Sequence, residues 1–146
     1  MRNLTLPFKP WKYAWIYLAA FLILTILFTI ANTFFIKQQG MGIGFAALVI
    51  SAQFAGRGTT WEFYKKYKRI LSKPEFKSIF RRSFFLVALF NLPLLLLVLF
   101  TVPPLVALII FALLIVLIGA SIYFGLFVGN WRLKRIDAKK SHAQLS

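Results

Sequence analysis

Charged residues in this chain are confined to a few short stretches, and the uncharged intervals between them are the first pattern to read. Between Lys12 and Lys37 lie 24 uncharged residues, between Lys37 and Arg57 lie 19, and between Arg82 and Arg132 lie 49. An ionised side chain at mid-bilayer costs about 2.5–3.5 kcal/mol even on insertion scales, and a helix needs about 20 residues to cross, so these gaps mark candidate spans. The third gap is too long for one span. It contains Thr101-Val102-Pro103-Pro104, where two prolines withhold backbone donors and push their predecessors away from helical angles. The pattern predicts an all-α integral membrane protein forming a single membrane domain, an antiparallel bundle of four transmembrane helices. The spans fall at 13–36, at 41–55 with polar extensions, at 83–100 and at 105–129. Residues 56–82 make a basic, amphipathic cytoplasmic segment between the second and third spans, and 130–146 a cytoplasmic tail.

The first span competes with a secretory signal. Its apolar stretch outruns the roughly 7–15 residues of a signal core and ends in Phe34-Phe35-Ile36 rather than small residues, so it is expected to remain as an anchor.

Composition agrees with a chain solvated by lipid. Of 146 residues 60% are hydrophobic and 14% charged, and mean hydropathy is +0.79, more apolar surface than a soluble domain of this size can hide in one core. There is no cysteine, which excludes disulfides and thiolate chemistry. Acidic residues number three, Glu62, Glu75 and Asp137, and the one histidine, His142, lies in the tail.

The 18 basic residues settle the expected orientation. Three precede the first span, one follows it, nine lie between spans two and three, none in the Pro-Pro hairpin and five after span four. Four spans therefore put 17 on one side and one on the other, which by the positive-inside rule makes both termini and the central segment cytoplasmic. Trp11, Trp15, Trp61 and Trp131 fall on that same side, at the level where indole rings prefer the headgroups. The net charge of +15 thus reads as a topology signal and not as a nucleic-acid footprint.

Within the central segment, Ser72 followed three residues later by Glu75, with Pro74 between them, is a capping box, so the third helix is expected to start near Lys73. Ahead of it, Trp61, Tyr64 and Lys68 share one helical stripe and Phe63, Tyr67 and Ile70 another, which predicts a second helical piece lying in the membrane interface. Trp61, Lys65, Lys66, Lys68, Arg69, Arg81 and Arg82 are the candidate surface for anionic phospholipid headgroups or an acidic partner.

Inside the spans, the amides of Asn32, Gln53 and Asn91 are the costly groups and should point into the bundle. Small residues supply the packing signal: Gly42, Ala47, Ser51 and Ala55 in the second span, and Ser121, Gly125 and Gly129 at intervals of four in the fourth. The second and fourth spans are therefore expected to pack through these faces. No acidic or basic residue lies inside a span, unlike small four-span multidrug exporters with their membrane carboxylate, and no catalytic set or metal cluster is apparent. No enzyme activity and no cofactor are expected.

Gly40-Met41 after the first span, the Ala-rich second span, the basic segment before the third, and Tyr123-Phe124 with the glycine-containing run before Arg132 together resemble a family of small bacterial inner-membrane proteins with four spans. The resemblance covers most of the chain. It implies a multi-pass protein of the bacterial inner membrane with cytoplasmic termini, and it carries over no activity and no functional residue. The expected role is a non-enzymatic accessory or interaction subunit, such as an immunity or complex-stabilising protein, partnered by another membrane protein or by further copies of itself. The alternative is a small channel, holin-like permeabiliser or transporter working as an oligomer.

Overall fold

The computed structural model describes residues 8–31 and 41–143. They form four helices, α1 (Pro10–Ala31), α2 (Met41–Tyr67), α3 (Lys73–Thr101) and α4 (Pro104–Ala143), and no strand occurs among the described residues. Among these residues, α1 and α4 are long and apolar enough to cross a membrane. The 40 residues of α4 extend about 60 Å, twice a hydrocarbon core.

The helix ends follow local chemistry. α1 and α4 each open on a proline, where a missing N–H costs nothing, and Lys12 N–H to Lys9 O (3.1 Å) and Ala107 N–H to Pro103 O (3.0 Å) close their first turns. α3 starts at Lys73, and the Glu75 carboxylate reaches back to accept from the Ser72 backbone N–H at 3.0 Å, as a capping box requires. α2 stops at Lys68, whose φ of 52° puts it in the left-handed region while its N–H closes on Tyr64 O at 2.8 Å.

One expectation needs correction and another is met. Residues 56–67 are not a separate interfacial helix; they continue α2 to Tyr67, leaving only 68–72 as a connection. Charges mark where hydrocarbon should end, which is not where backbone hydrogen bonding ends. The expected packing of the second helix on the fourth is present. α1 packs on α2 and α3, and α4 packs on α2 and α3, so the order around the bundle is α1, α2, α4, α3. Chain neighbours run antiparallel, as Tyr13 beside Phe63 and Phe84 beside Gly119 show, but α2 and α4 run parallel: Gly125 lies against Ala52 and Gln53, and Gly129 against Arg57 and Thr60. The connection at 68–72 consequently crosses the bundle end diagonally.

The tight core lies toward that end. Tyr13, Tyr17, Phe63, Ile79, Ile122 and Leu126 are almost wholly buried there, one or two from each helix. The α2–α4 seam is backbone on backbone. A Cβ on Gly56 would come within 2.6 Å of the Gly125 carbonyl carbon, one on Gly125 within 2.8 Å of Gln53 Cα, and one on Gly129 would collide with Thr60 Oγ1. Ser51, Ala52 and Ala55 are buried in the same helix, whereas Ala47 is half-buried and Ala46 exposed. Gly42 lies in the first turn of α2.

Candidate functional site

The bundle end where α1 and α3 begin and α2 ends gathers the polar chemistry. At its centre is Glu75. Arg69 Nη1 and Nη2 donate to its two oxygens at 2.7 and 2.6 Å, and Ser72 adds its hydroxyl at 2.7 Å and its backbone N–H. The Arg69 hydrogen bonds, assisted by those from Ser72 and opposed by burial, bring the Glu75 carboxyl down to about 2. The same pairing raises Arg69 further. The guanidinium also lies 5.2 Å from the Phe63 ring centroid and 5.6 Å from that of Tyr67, so the connection is pinned to an aromatic cluster of Phe8, Tyr13, Phe63 and Tyr67.

α4 holds this end from the other side. The Asn130 side chain accepts from Leu71 N–H at 3.0 Å and donates to Leu71 O at 3.4 Å, clamping both polar groups of one residue in the connection. One helical stretch further, Tyr64 donates its hydroxyl to Asp137, which raises the Tyr64 pKa because that hydrogen bond, with burial and the nearby negative charge, favours the protonated phenol. The third carboxylate, Glu62, pairs with Lys65 at 3.3 Å on the exposed face of α2.

All three acids thus have partners within the fold, and the cations far outnumber them. Lys12, Lys77, Arg81, Arg132 and Lys134 are exposed at this end, and among the described residues the ion pairs are Lys65–Glu62 and Arg69–Glu75. Tryptophans sit among them, each 43–56% exposed: Trp11 under the Arg82 guanidinium at 4.9 Å, Trp131 under Arg135 at 3.8 Å, Trp61 beside Lys65, and Trp15 a turn into α1.

The seven residues expected to form one docking surface are distributed unequally. Trp61, Lys65, Lys66, Lys68 and Arg81 are exposed, Arg69 is engaged by Glu75, and Arg82 is half-buried on Trp11. The amides expected to lie inside the spans do not gather. Asn91 donates to Val87 O of its own helix at 2.8 Å, Gln53 is half-buried beside α4, α2 and α3 are not packing neighbours, and Asn32 lies outside the described residues. Sequence reasoning missed Asn130, Asp137 and Gly56. Nothing local distinguishes Asn130 from an ordinary tail residue, since its partner is 59 positions away.

Gln53 borders an open groove of about 560 Å³ on the outer face of α4, floored by Gly119 and Ala120 and walled by Phe80, Tyr123 and Phe124. Comparison with protein-family models, curated proteins and solved structures returned no match. Function therefore rests on this geometry.

Proposed function

We propose that this chain is a multi-pass membrane protein with four spans, its termini and polar bundle end in the cytoplasm, acting as a non-enzymatic interaction subunit of the bacterial inner membrane. Its basic end docks on acidic groups from outside the chain. The observation that carries this reading is the charge arrangement of that end: every carboxylate is engaged internally, while exposed lysines, arginines and tryptophans ring the bundle. Large apolar side chains beyond it face outward, with Ile23 59%, Leu108 65% and Phe100 89% exposed, as lipid contact demands. α2 and α3 reach the same depth through the uncharged runs at 41–56 and 83–101.

Because Gln53 and Asn91 sit on helices that do not pack together, a neutral path through one chain is less favoured than an interaction role. Topology is tested with single cysteines, which the native chain lacks, at Lys66 and at Pro103. Labelling from opposite sides of the membrane is expected, and labelling from one side overturns the four-span reading. The interaction role is tested by native mass spectrometry of chain extracted from its own membrane in mild detergent. A stoichiometric membrane-protein partner, lost when Lys66, Lys68 and Arg81 become Gln, is expected; a chain that is always solitary overturns it.

A further inference from the structure

Arg57 is the deepest cation of α2, and its Nε is buried without a hydrogen-bond partner. Helical side chains tilt toward the helix N-terminus, which here leads away from the basic end. The guanidinium does so, lying 5.3 Å from the Phe54 ring centroid, one turn back along α2. Gln53, which borders the groove on α4, is four residues before Arg57 and so on the same face. The groove extends from there away from the basic end: Gly125 is level with Gln53, and the floor at Gly119 and Ala120 lies one to two turns further along α4.

We propose that Arg57 and this groove together form a binding site for one anionic glycerophospholipid of the cytoplasmic leaflet. The phosphate meets the Arg57 guanidinium, and an acyl chain lies over Gly119 and Ala120 between Phe80 and Phe124. Charge complementarity selects this occupant. The three carboxylates that could answer Arg57 are engaged with Arg69, Tyr64 and Lys65, so its anion comes from outside the chain. At the boundary between a cationic end and an apolar belt, that anion is a lipid phosphate, and an adjoining cationic end disfavours a headgroup that carries its own ammonium. The groove supplies what a headgroup alone lacks, a smooth apolar channel aimed toward the hydrocarbon centre. Because Ala120 is exposed, the chain is in place without any rearrangement of the core.

The site rests on the membrane reading, and the test separates the two. Full-length chain is reconstituted into vesicles of phosphatidylcholine with one-tenth phosphatidylglycerol, extracted in mild detergent, and weighed by native mass spectrometry. One tightly held phosphatidylglycerol per chain is expected. Arg57→Gln and Ala120→Leu should each lower the lipid-bound fraction about tenfold or more, as loss of a desolvated charge partner or of the groove does, while Lys134→Gln leaves it unchanged. Ala120→Leu points outward and keeps the experiment decisive if Arg57→Gln fails to fold. Equal retention in both variants, equal loss in Lys134→Gln, or indifference between the two lipids overturns the site while leaving the membrane reading intact. Failure of the chain to enter vesicles overturns both.

Discussion

The two halves of the bundle hold together by different means. Toward the basic end, helices are cross-linked: Tyr17 donates to Ala52 O at 2.9 Å, Tyr64 to Asp137, Asn130 grips Leu71, and Gly56 meets Gly125. Toward the other end, described polar side chains turn inward on their own helices, Thr25 to Phe21 O, Thr29 to Thr25 O and Asn91 to Val87 O, each at 2.8 Å, while Ile26, Leu89, Leu105 and Leu113 face outward. On the proposed membrane reading, lipid tails are as apolar as leucine, so burying leucine between helices would gain little. Cohesion then comes from close backbone approach and from polar groups that reach another helix, and the sequence places both in one half.

The largest test of that contrast is the α2–α4 seam. Gly125→Leu inserts a side chain where even a Cβ would stand 2.8 Å from Gln53 Cα and O, atoms of backbone that cannot step aside. Overpacking should lower stability by about 3 kcal/mol, measured by thermal unfolding in detergent. Gly58 is the internal control, since its Cβ would meet nothing within 4 Å. Gly58→Ala should be neutral or stabilising by up to about 1 kcal/mol through helix propensity. Equal losses at the two positions would mean that the seam is not the point of closest approach.

Next in size is the Glu75 node. Glu75→Gln removes the charge that Arg69 and the Ser72 cap share and should cost about 2 kcal/mol, short of the full value of a buried pair because half of the Arg69 side chain is in solvent. The pH dependence has a fixed sign. The carboxyl is lowered from 4.5 to about 2 in the fold, so its contribution is complete above about pH 4.5 and disappears as pH falls toward 2. Wild type should lose stability across that interval and Glu75→Gln should not. Parallel pH profiles would remove Glu75 from the account.

How much of this was legible follows from the kind of signal each feature leaves. Helix starts are local: Ser72, Pro74 and Glu75 announce α3, and Pro103-Pro104 separate α3 from α4. The small-residue series at Ser121, Gly125 and Gly129 points to a close seam, although its deepest counterpart on α2 is Gly56, which charge counting had assigned to the cytoplasmic segment. That series pairs α2 with α4, but the placement of α1 and α3 around them leaves no such trace. Outward-facing sides and sides that meet another helix are both apolar, so periodicity cannot tell them apart, and the diagonal crossing at 68–72 is visible only in the structure. Continuation of α2 to Tyr67 is hidden for a related reason, because Arg57 and Glu62 suit a solvated helix as well as a loop.

The amides sharpen the comparison at a smaller scale. Sequence logic ranks Asn91 as costly and passes over Asn130, while the structure gives Asn91 a partner four residues back and Asn130 a partner on another element. Asn130→Leu should therefore lose about 1–1.5 kcal/mol, since it leaves the Leu71 N–H without its acceptor. Asn91→Leu should change stability by less than about 0.5 kcal/mol, because amide and carbonyl are satisfied within one turn and removal strands little. Hydrogen exchange at the Leu71 amide reports directly: faster in Asn130→Leu, unchanged in Asn91→Leu.

The smallest effect has the opposite sign. Lys68 occupies left-handed backbone, where a Cβ crowds the following carbonyl, and the Arg69 pair and the Asn130 clamp hold the connection on either side of that position. Lys68→Gly removes the crowding and should stabilise the protein by about 0.5–1 kcal/mol, the glycine's greater freedom in the unfolded chain offsetting part of the gain. The side chain is exposed, so no packing is lost with it. Lys68→Val should destabilise by a similar amount, because a β-branched residue tolerates this region worst. A mutant pair that moves in the same direction would show that the connection is held by its partners alone, with the backbone turn following.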